Sequence, residues 1–156
     1  MSVRLLVQQV VSAKLVLPGD TEIRIGKGVV VFVCFLKGVT EDLVRKAGRV
    51  VMTVKLSEGE EEGGKRVDVL TAGGEVLVVP QATLGGKLKG NSLQYHHNVK
   101  PVEGAELYRV FCEVLREGMG EQGVVKEEGK VKEGQYGARQ VLSMETNGPY
   151  SHAFDI

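Results

Sequence analysis

Apolar residues in the first third of this chain recur with the period of β-strands. Residues 3–17 are rich in valine and leucine and end at a Pro-Gly-Asp turn signal at 18–20. Residues 22–26 alternate between polar and apolar, and residues 28–36 form a continuous apolar run, which is typical of a strand buried on both faces. The pattern predicts three strands, the last two joined by a hairpin through residues 26–28.

Two later segments show the longer period of an amphipathic α-helix. Thr40 can cap a helix whose first turn carries Glu41 and Asp42 at the positive end of the helix dipole, and this helix is predicted to end near Met52. A second helix is predicted over residues 103–117, where the apolar side chains share one stripe. Further strands are predicted over residues 75–84, 123–126, 139–145 and 151–156.

Long β runs with only two helices predict an α+β fold, as a mainly antiparallel and barrel-like domain. The sequence contains no internal repeat and no low-complexity linker, which indicates one domain over residues 1–156. Its 42% apolar and 26% charged residues are typical of a folded soluble protein. Because 20 Lys and Arg residues balance 20 Asp and Glu residues, any contact with a nucleic acid must be local.

Both cysteines, Cys34 and Cys112, lie among apolar neighbours and form no Cys-x-x-Cys pair. We interpret them as buried free thiols in a reducing compartment, which argues against a zinc site and a disulfide framework. The longest apolar stretch, residues 28–36, is far below the length that spans a membrane, and the first residues alternate like a strand. We therefore expect a cytoplasmic protein without membrane contact.

The common signatures of hydrolases and nucleotide-binding enzymes do not occur in the sequence. It contains no Gly-x-Ser-x-Gly elbow, no His-Glu-x-x-His motif and no Walker loop. His96 and His97 are adjacent and point to opposite sides of an extended segment, so that they are unsuited to binding one metal ion. We expect no metal site and no cofactor, and we interpret these two residues and His152 as surface or interface side chains, with hydrogen bonding to a substrate as the alternative.

Two segments suggest chemistry. Residues 80–91 run from a buried strand into a Gly-rich loop with Lys87 and Lys89, which suits a phosphate or a carbonyl oxygen that develops negative charge. An ordinary hairpin explains this segment equally well. Residues 146–152 contain Gly148 and Pro149 between two predicted strands, for which a tight turn is the simple explanation.

Taken together, these motifs resemble the D-aminoacyl-tRNA deacylase family. Pro-Gln-Ala-Thr-Leu at 80–84 resembles the family's Ser-Gln-Phe-Thr-Leu motif, and Asn-Gly-Pro at 147–149 resembles its carboxy-terminal Gly-Pro motif. The resemblance is greatest to the animal-type branch, which is associated with removing L-alanine from mischarged threonine tRNA. Ser151 departs from the Thr that is usual at this position in the animal-type branch. Ala82 replaces the Phe, and Gln9 the Arg, of the D-specific pattern, so that strict D-selectivity is not expected.

The resemblance implies a homodimer that edits charged tRNA during translation proofreading. Each active site would lie between subunits, with Gln81, Ala82 and Thr83 of one chain facing Gly148 and Pro149 of the other. Backbone N–H groups at 81–83 would stabilise the oxyanion, and the 2′-hydroxyl of the terminal adenosine would assist water and exclude DNA. Thr83 as a nucleophile is the alternative, although no base is visible for it.

The remaining candidate residues are expected to bind or orient the substrate. Lys87 and Lys89 are expected to contact phosphates of the acceptor end, or else only to solubilise the loop. Because Gln9 stands where the D-specific pattern has Arg, we expect a trans Gly148–Pro149 bond. Arg139 is a candidate for holding this trans bond, and an ordinary surface ion pair is the alternative role of Arg139. Three alternative functions remain: a strictly D-specific deacylase, a noncatalytic module that binds the tRNA end, and a purely structural dimer.

Overall fold

A computed structural model describes residues 2–61, 63–123 and 128–156. Ten strands, two α-helices and one short 3₁₀ turn occur in these residues. In chain order the elements are β1 Val3–Val10, β2 Ser12–Val16, β3 Glu22–Ile25, β4 Gly28–Phe35, α1 Glu41–Thr53, β5 Glu75–Pro80, the 3₁₀ turn Ala82–Gly85, β6 Lys87–Lys89, β7 Ser92–Gln94, α2 Pro101–Gly118, β8 Val131–Glu133, β9 Val141–Glu145 and β10 Ser151–Asp155.

The strands form a five-stranded sheet, a three-stranded sheet and a small hairpin. The large sheet has the order β10-β1-β4-β5-β8, the second sheet has the order β3-β2-β9, and β6 pairs with β7. Pairing is antiparallel except between β4 and β5 and between β5 and β8. The predicted α+β class with two helices is therefore confirmed, whereas closure into a barrel stays a prediction, because no ladder between described strands joins the two larger sheets.

Two predictions about the first strands were wrong. The apolar run at 3–17 is divided at the exposed Val11, where the chain passes from the large sheet into the three-stranded sheet. The hairpin at 26–28 does not form, because β3 pairs with β2 while β4 pairs with β1 and β5. Gly28 packs so closely on the backbone of Glu75 that a Cβ there would lie 1.9 Å from the Glu75 carbonyl oxygen. A buried apolar strand needs a partner on each side, and β1 and β5 supply them.

The helices follow their local signals. Thr40 accepts a hydrogen bond from Leu43 N at 3.2 Å, as expected of an N-cap, and α1 ends at Thr53, one residue beyond the predicted end. The second helix begins at Pro101, because proline is favoured at the first helical position, where its missing N–H is not needed. The predicted strand at 123–126 lies almost entirely outside the described residues.

Both helices contribute to the main core together with the large sheet. Phe111 of α2 is fully buried and meets the ring of Phe35 edge-on, with ring centroids 6.4 Å apart. Cys34 and Cys112 are free and buried, as predicted. In the described part of the chain no helix is long and apolar enough to cross a membrane. The core thus fixes β1, β4 and β5, the strands that carry the candidate site.

Candidate functional site

The turn after β5 presents two backbone N–H groups that its own hydrogen bonds do not use. Strand β5 ends at Pro80, four residues earlier than predicted, and Gln81 N donates to Val33 O at 2.9 Å. The first hydrogen bond of the 3₁₀ turn runs from Leu84 N to Gln81 O at 3.2 Å. The N–H groups of Ala82 and Thr83 precede this bond and make no backbone hydrogen bond with the described residues. They are two adjacent donors at an exposed surface, whereas the N–H of Gln81, also expected to be a donor to the oxyanion, is used in the bond to Val33 O.

Two side chains from other parts of the chain hold the carbonyl groups of this turn. Asn98 Nδ2 donates to Ala82 O at 2.8 Å, and Arg4 Nη1 donates to Leu84 O at 3.0 Å. Arg4 also binds Asp155, with Nε 2.9 Å from Oδ1, and this hydrogen bond lowers the pKa of the Asp155 carboxyl. The turn is therefore fixed in orientation by contacts to its carbonyl oxygens, which leaves the donors at its beginning accessible.

In the part of the chain that the structure describes, no nucleophilic side chain near this turn is hydrogen-bonded to a base. Thr83 Oγ1 accepts a hydrogen bond from Gln81 Nε2, and among the described residues neither a histidine nor a carboxylate is bonded to it. Cys34 lies close, with Sγ 3.6 Å from Ala82 O, but burial raises the pKa of its thiol and keeps it protonated. The chemistry available at this turn is therefore that of backbone donors. A cavity of about 220 Å³ lies beside Ala82.

The second segment, around Gly148 and Pro149, is an exposed bend before β10. All peptide bonds of the described residues are trans, and this includes the bond between Gly148 and Pro149. Gly148 has a φ of 137°, which favours glycine, and its carbonyl accepts a hydrogen bond from Thr146 Oγ1. The bend thus has a fixed shape and leaves the proline ring exposed.

A polar cluster lies directly behind this bend and includes the buried Gln9. Arg66 Nη1 donates to Gln9 Oε1 at 2.6 Å, and Gln9 Nε2 lies 3.4 Å from Asn147 Oδ1. The guanidinium of Arg66 stacks over the ring of Tyr150, with Cζ 4.2 Å from the ring centroid. Glu58 accepts from Asn147 Nδ2 at 3.1 Å and lies 3.6 Å from Arg66 Nη1. We call Gln9, Glu58, Arg66, Asn147 and Tyr150 the Arg66 cluster.

Sequence reasoning missed Arg66 and Glu58. Both lie in the stretch 57–66, whose four Glu and three Gly residues are typical of a solvated loop without a functional role. The hydrogen bond from Arg66 to Gln9 joins residues 57 positions apart, and the bond from Asn147 to Glu58 joins residues 89 positions apart. Pattern reasoning over neighbouring residues carries no signal for contacts of this kind.

Arg139 does not reach the Gly148–Pro149 bend within one chain. It is exposed, makes no hydrogen bond or ion pair with the described residues, and precedes β9, whose far end leads to Thr146. The five residues of β9 separate the two by roughly 16 Å at about 3.3 Å per residue. Within one chain, the guanidinium beside the bend is that of Arg66.

Lys87 and Lys89 are exposed on β6, directly after the 3₁₀ turn, as expected for residues that could meet a polyanion.

The adjacent His96 and His97 are also exposed, while His152 contacts the ring of Tyr150 at a centroid distance of 4.7 Å. No group of three or more metal-ligating side chains occurs in residues 2–61, 63–123 and 128–156.

The two motifs lie at opposite ends of the large sheet. Strand register aligns Ser151 with Gln8, Gln8 with Val30, and Val30 with Leu77, and β10 runs in the same direction as β5. These aligned residues form one row across the sheet. Along the common direction of β10 and β5, Pro149 lies two residues before this row and Gln81 lies four residues after it. At about 3.3 Å per residue and 4.8 Å per strand, they are separated by roughly 20 Å along the strands and 14 Å across them. One chain does not bring the turn and the bend together.

The comparisons with known proteins agree on one family. The family model described as D-Tyr-tRNA(Tyr) deacylase matches residues 6–155. The chain is 42% identical to D-aminoacyl-tRNA deacylase 2 of Danio rerio over the full length of both chains, and 40% identical to the protein of that name from Homo sapiens, covering 98% of this chain and 94% of the human one.

Solved structures give the same result at the level of the fold. A structure described as that of a "probable eukaryotic D-amino acid tRNA deacylase" superposes with a TM-score of 0.88 at 31% identity, covering both chains completely. The structure of the c-Myc DNA Unwinding Element Binding Protein superposes with a TM-score of 0.83 at 25% identity, covering 97% of each chain. The chain therefore belongs to the D-aminoacyl-tRNA deacylase family and is a hydrolase of aminoacyl-tRNA ester bonds.

Proposed function

We propose that this deacylase removes L-alanine from mischarged threonine tRNA, and also accepts D-aminoacyl-tRNA, in cytoplasmic translation proofreading. The observation that carries the chemical part of the proposal is the 3₁₀ turn with two free N–H donors, where no base among the described residues is hydrogen-bonded to Thr83. Release of amino acid from L-alanyl-tRNA by the purified protein tests the proposal. Release from D-aminoacyl-tRNA alone would contradict the proposed hydrolysis of L-alanyl-tRNA.

In the proposed mechanism, Ala82 and Thr83 donate their backbone N–H groups to the carbonyl oxygen of the ester. As water attacks, negative charge develops on this oxygen, and fixed donors stabilise it more than they stabilise the ground state. Gln81 supports the turn through its side-chain bond to Thr83 and its carbonyl bond from Leu84 N. No covalent intermediate with the protein is formed.

The tRNA supplies the group that the protein lacks. A ribose hydroxyl adjoins the ester on the terminal adenosine, and we propose that this 2′-hydroxyl accepts a proton from the attacking water while it passes its own proton to the neighbouring ester oxygen of the ribose. The oxyanion then collapses, the bond to this protonated ribose oxygen breaks to leave a free hydroxyl, and the amino acid leaves as a carboxylate. This assignment makes RNA obligatory as the substrate and excludes DNA.

A homodimer would unite the two motifs. The separation of Gln81 from Pro149 along and across the sheet supports the bend of one subunit facing the turn of the other. A two-fold axis would then generate two equivalent sites. In each site Gly148 and Pro149 would hold the α-amino group of the substrate and enclose one side of its α-carbon.

Mixing two inactive chains tests this arrangement. The first chain carries Ala82→Pro, which removes the N–H of residue 82, and the second carries Gly148→Val at a φ of 137° that valine rarely adopts. We expect each alone to be nearly inactive and a refolded equal mixture to recover roughly a quarter of wild-type activity, because half of the dimers then have one intact site. A fully active monomer in analytical ultracentrifugation would contradict the shared site.

Acceptance of an L side chain follows from three features of the site. Ala82 is small where the D-specific pattern has Phe, Gln9 stands where that pattern has Arg, and the bond between Gly148 and Pro149 is trans. We propose that together they leave a pocket too wide to exclude L-alanine, since a pocket loses exclusion more readily than binding. Glycyl and alanyl esters should therefore be better substrates than esters of bulky amino acids.

Arg66 provides a mutational test of how the bend is held. In Arg66→Met the buried Gln9 loses a charged donor and Tyr150 loses its cation, so that the bend is less well fixed. Hydrogen bonds to charged groups contribute about 1.5–3 kcal/mol, which predicts a loss of about tenfold or more in kcat/KM for L-alanyl-tRNA. Arg45→Met is the matched control, since it removes only an exposed ion pair with Glu41 on α1. Equal activities of the two variants would exclude this role for Arg66.

Strict D-specificity is the second candidate function. It is favoured by the names of the relatives from Danio rerio and Homo sapiens, which describe D-aminoacyl-tRNA deacylases. The chemistry at the turn would be the same, and only the stereochemistry of the accepted amino acid would differ. Binding of charged tRNA without release of the amino acid would instead indicate a noncatalytic module.

A further inference from the structure

A small basic groove lies at the end of the 3₁₀ turn, beside β6. It encloses about 210 Å³ and lies between the loop that follows β4, the segment that precedes α2, and the turn itself. Four of its six lining residues are basic or contain an imidazole. The lining residues are Arg4, Leu36, Lys37, Gly85, Lys87 and His97.

Backbone hydrogen bonds fix the positions of two of these residues. Lys37 N donates to His97 O at 2.7 Å, which joins the loop after β4 to the segment that precedes α2. On the other side of Lys37, Val39 N donates to Leu36 O at 3.2 Å, and Gly38 has a φ of 82°. Such a tight turn needs glycine and holds Lys37 in place. The groove is therefore part of the folded framework.

The groove carries a local excess of positive charge in a chain without net charge. The charge of Arg4 is balanced by Asp155 at 2.9 Å. Lys37 and Lys87 form no salt bridge with a carboxylate among the described residues, and none of the lining residues is acidic. Two uncompensated lysines next to an imidazole attract a small anion.

The groove is contiguous with the proposed oxyanion donors. Gly85 is the last residue of the 3₁₀ turn and also lines the groove, and Arg4 donates to Leu84 O from the groove side. At about 2.0 Å rise per residue, the donors at Ala82 lie roughly 6 Å from Gly85. An anion in the groove and an ester at the start of the turn can therefore belong to one RNA end.

We propose that this groove binds a phosphodiester group near the 3′ end of the substrate RNA, through Lys37, Lys87 and His97. The inference rests on the proposed function and extends it, because it gives the turn a neighbouring site that reads the RNA backbone. It predicts that part of the preference for a tRNA end over a free aminoacyl-nucleoside comes from these side chains.

Two substrates that differ in their phosphates separate the groove from the chemistry. One is the L-alanyl ester of adenosine, which has no phosphate, and the other is an L-alanyl minihelix RNA that ends in the same adenosine. We expect Lys37→Gln and Lys87→Gln each to lower the ratio of kcat/KM for the minihelix to kcat/KM for the adenosine ester by up to about fivefold. The dependence of log KM on log salt for the minihelix should become shallower by about 0.7 per lysine.

Two variants serve as controls. Lys46→Gln removes the same charge from the exposed side of α1 and should leave both the ratio and the salt dependence as in the wild type. Lys37→Arg retains the charge and should retain most of the ratio. If Lys37→Gln and Lys87→Gln match Lys46→Gln in both measurements, the groove does not bind phosphate and the proposal is overturned.

Failure of the proposed function would give a different result. In that event the wild type releases no amino acid from either ester. Fluorescence anisotropy with the uncharged minihelix then measures whether the groove contributes to RNA binding. Weaker binding by the Lys37→Gln and Lys87→Gln variants than by Lys46→Gln supports the groove, and equal binding overturns it.

Discussion

A substrate tRNA that ends in 2′-deoxyadenosine should be turned over about 10²- to 10⁴-fold more slowly than the normal substrate, the range that general acid–base assistance contributes. The reason is that no histidine or carboxylate among the described residues bonds to the turn that carries Ala82 and Thr83, so the hydroxyl of the RNA is the proposed aid to the attacking water. Single-turnover deacylation under saturating enzyme measures the effect.

Binding has to be measured on the same pair of tRNAs. The dissociation constants should differ little, because one hydroxyl contributes little to an interface made largely with phosphates. A tRNA with its deoxy sugar at the penultimate nucleotide is the matched control and should react normally. Unchanged turnover of the terminal 2′-deoxy substrate would show that the 2′-hydroxyl of the RNA does not assist the attacking water.

Ala82→Pro should lower kcat by about 10²- to 10³-fold, the loss found when one oxyanion donor is removed. The substitution deletes the N–H of residue 82 alone. Proline is tolerated at the first position of a helical turn, and Gln81, with φ −139° and ψ 82°, lies outside the α region that proline disfavours in the preceding residue. The fold should therefore persist, which the unfolding temperature and circular dichroism can check.

Two variants of this turn that keep every N–H are the matched controls. Ala82→Gly and Thr83→Ala should each retain activity within about an order of magnitude, since only side-chain atoms are lost. Should Thr83→Ala instead lose about 10⁶-fold, the loss typical of a true nucleophile, the backbone mechanism would be wrong and Thr83 would be the nucleophile.

The sequence allowed those parts of the fold to be predicted that depend on neighbouring residues. The cap at Thr40, the two helices and most strands follow from spacing and turn signals. The pairing of β4 could not be predicted in this way. The sequence around Gly28 is typical of a hairpin, whereas in the fold this glycine allows a close approach to the backbone of Glu75. The early end of β5 at Pro80 did not follow either, because the 3₁₀ turn that replaces the end of the predicted strand is held by Arg4 and Asn98, which are distant in sequence.

The candidate site shows the same division. The residues at 81–83 and at 148–149 could be selected because each segment is a contiguous motif. Arg66 could not, because only the tertiary fold joins it to its partner Gln9, which lies 57 positions away in the sequence. Nor could the sequence tell that Gln81 and Pro149 lie at opposite ends of one sheet. That separation depends on strand order and register.

Hydrolysis of L-alanyl-tRNA(Thr) is the measurement that tests the proposed editing function most directly. Purified protein should be assayed against L-alanyl-, D-alanyl- and glycyl-tRNA and against a bulky L-aminoacyl-tRNA, each below KM, so that the rates give relative kcat/KM. The proposal predicts clear hydrolysis of L-alanyl-tRNA, hydrolysis of the D-alanyl and glycyl esters, and slow hydrolysis of the bulky L-ester. Hydrolysis of D-alanyl-tRNA with L-alanyl-tRNA untouched would contradict it and identify the protein as a strictly D-specific deacylase.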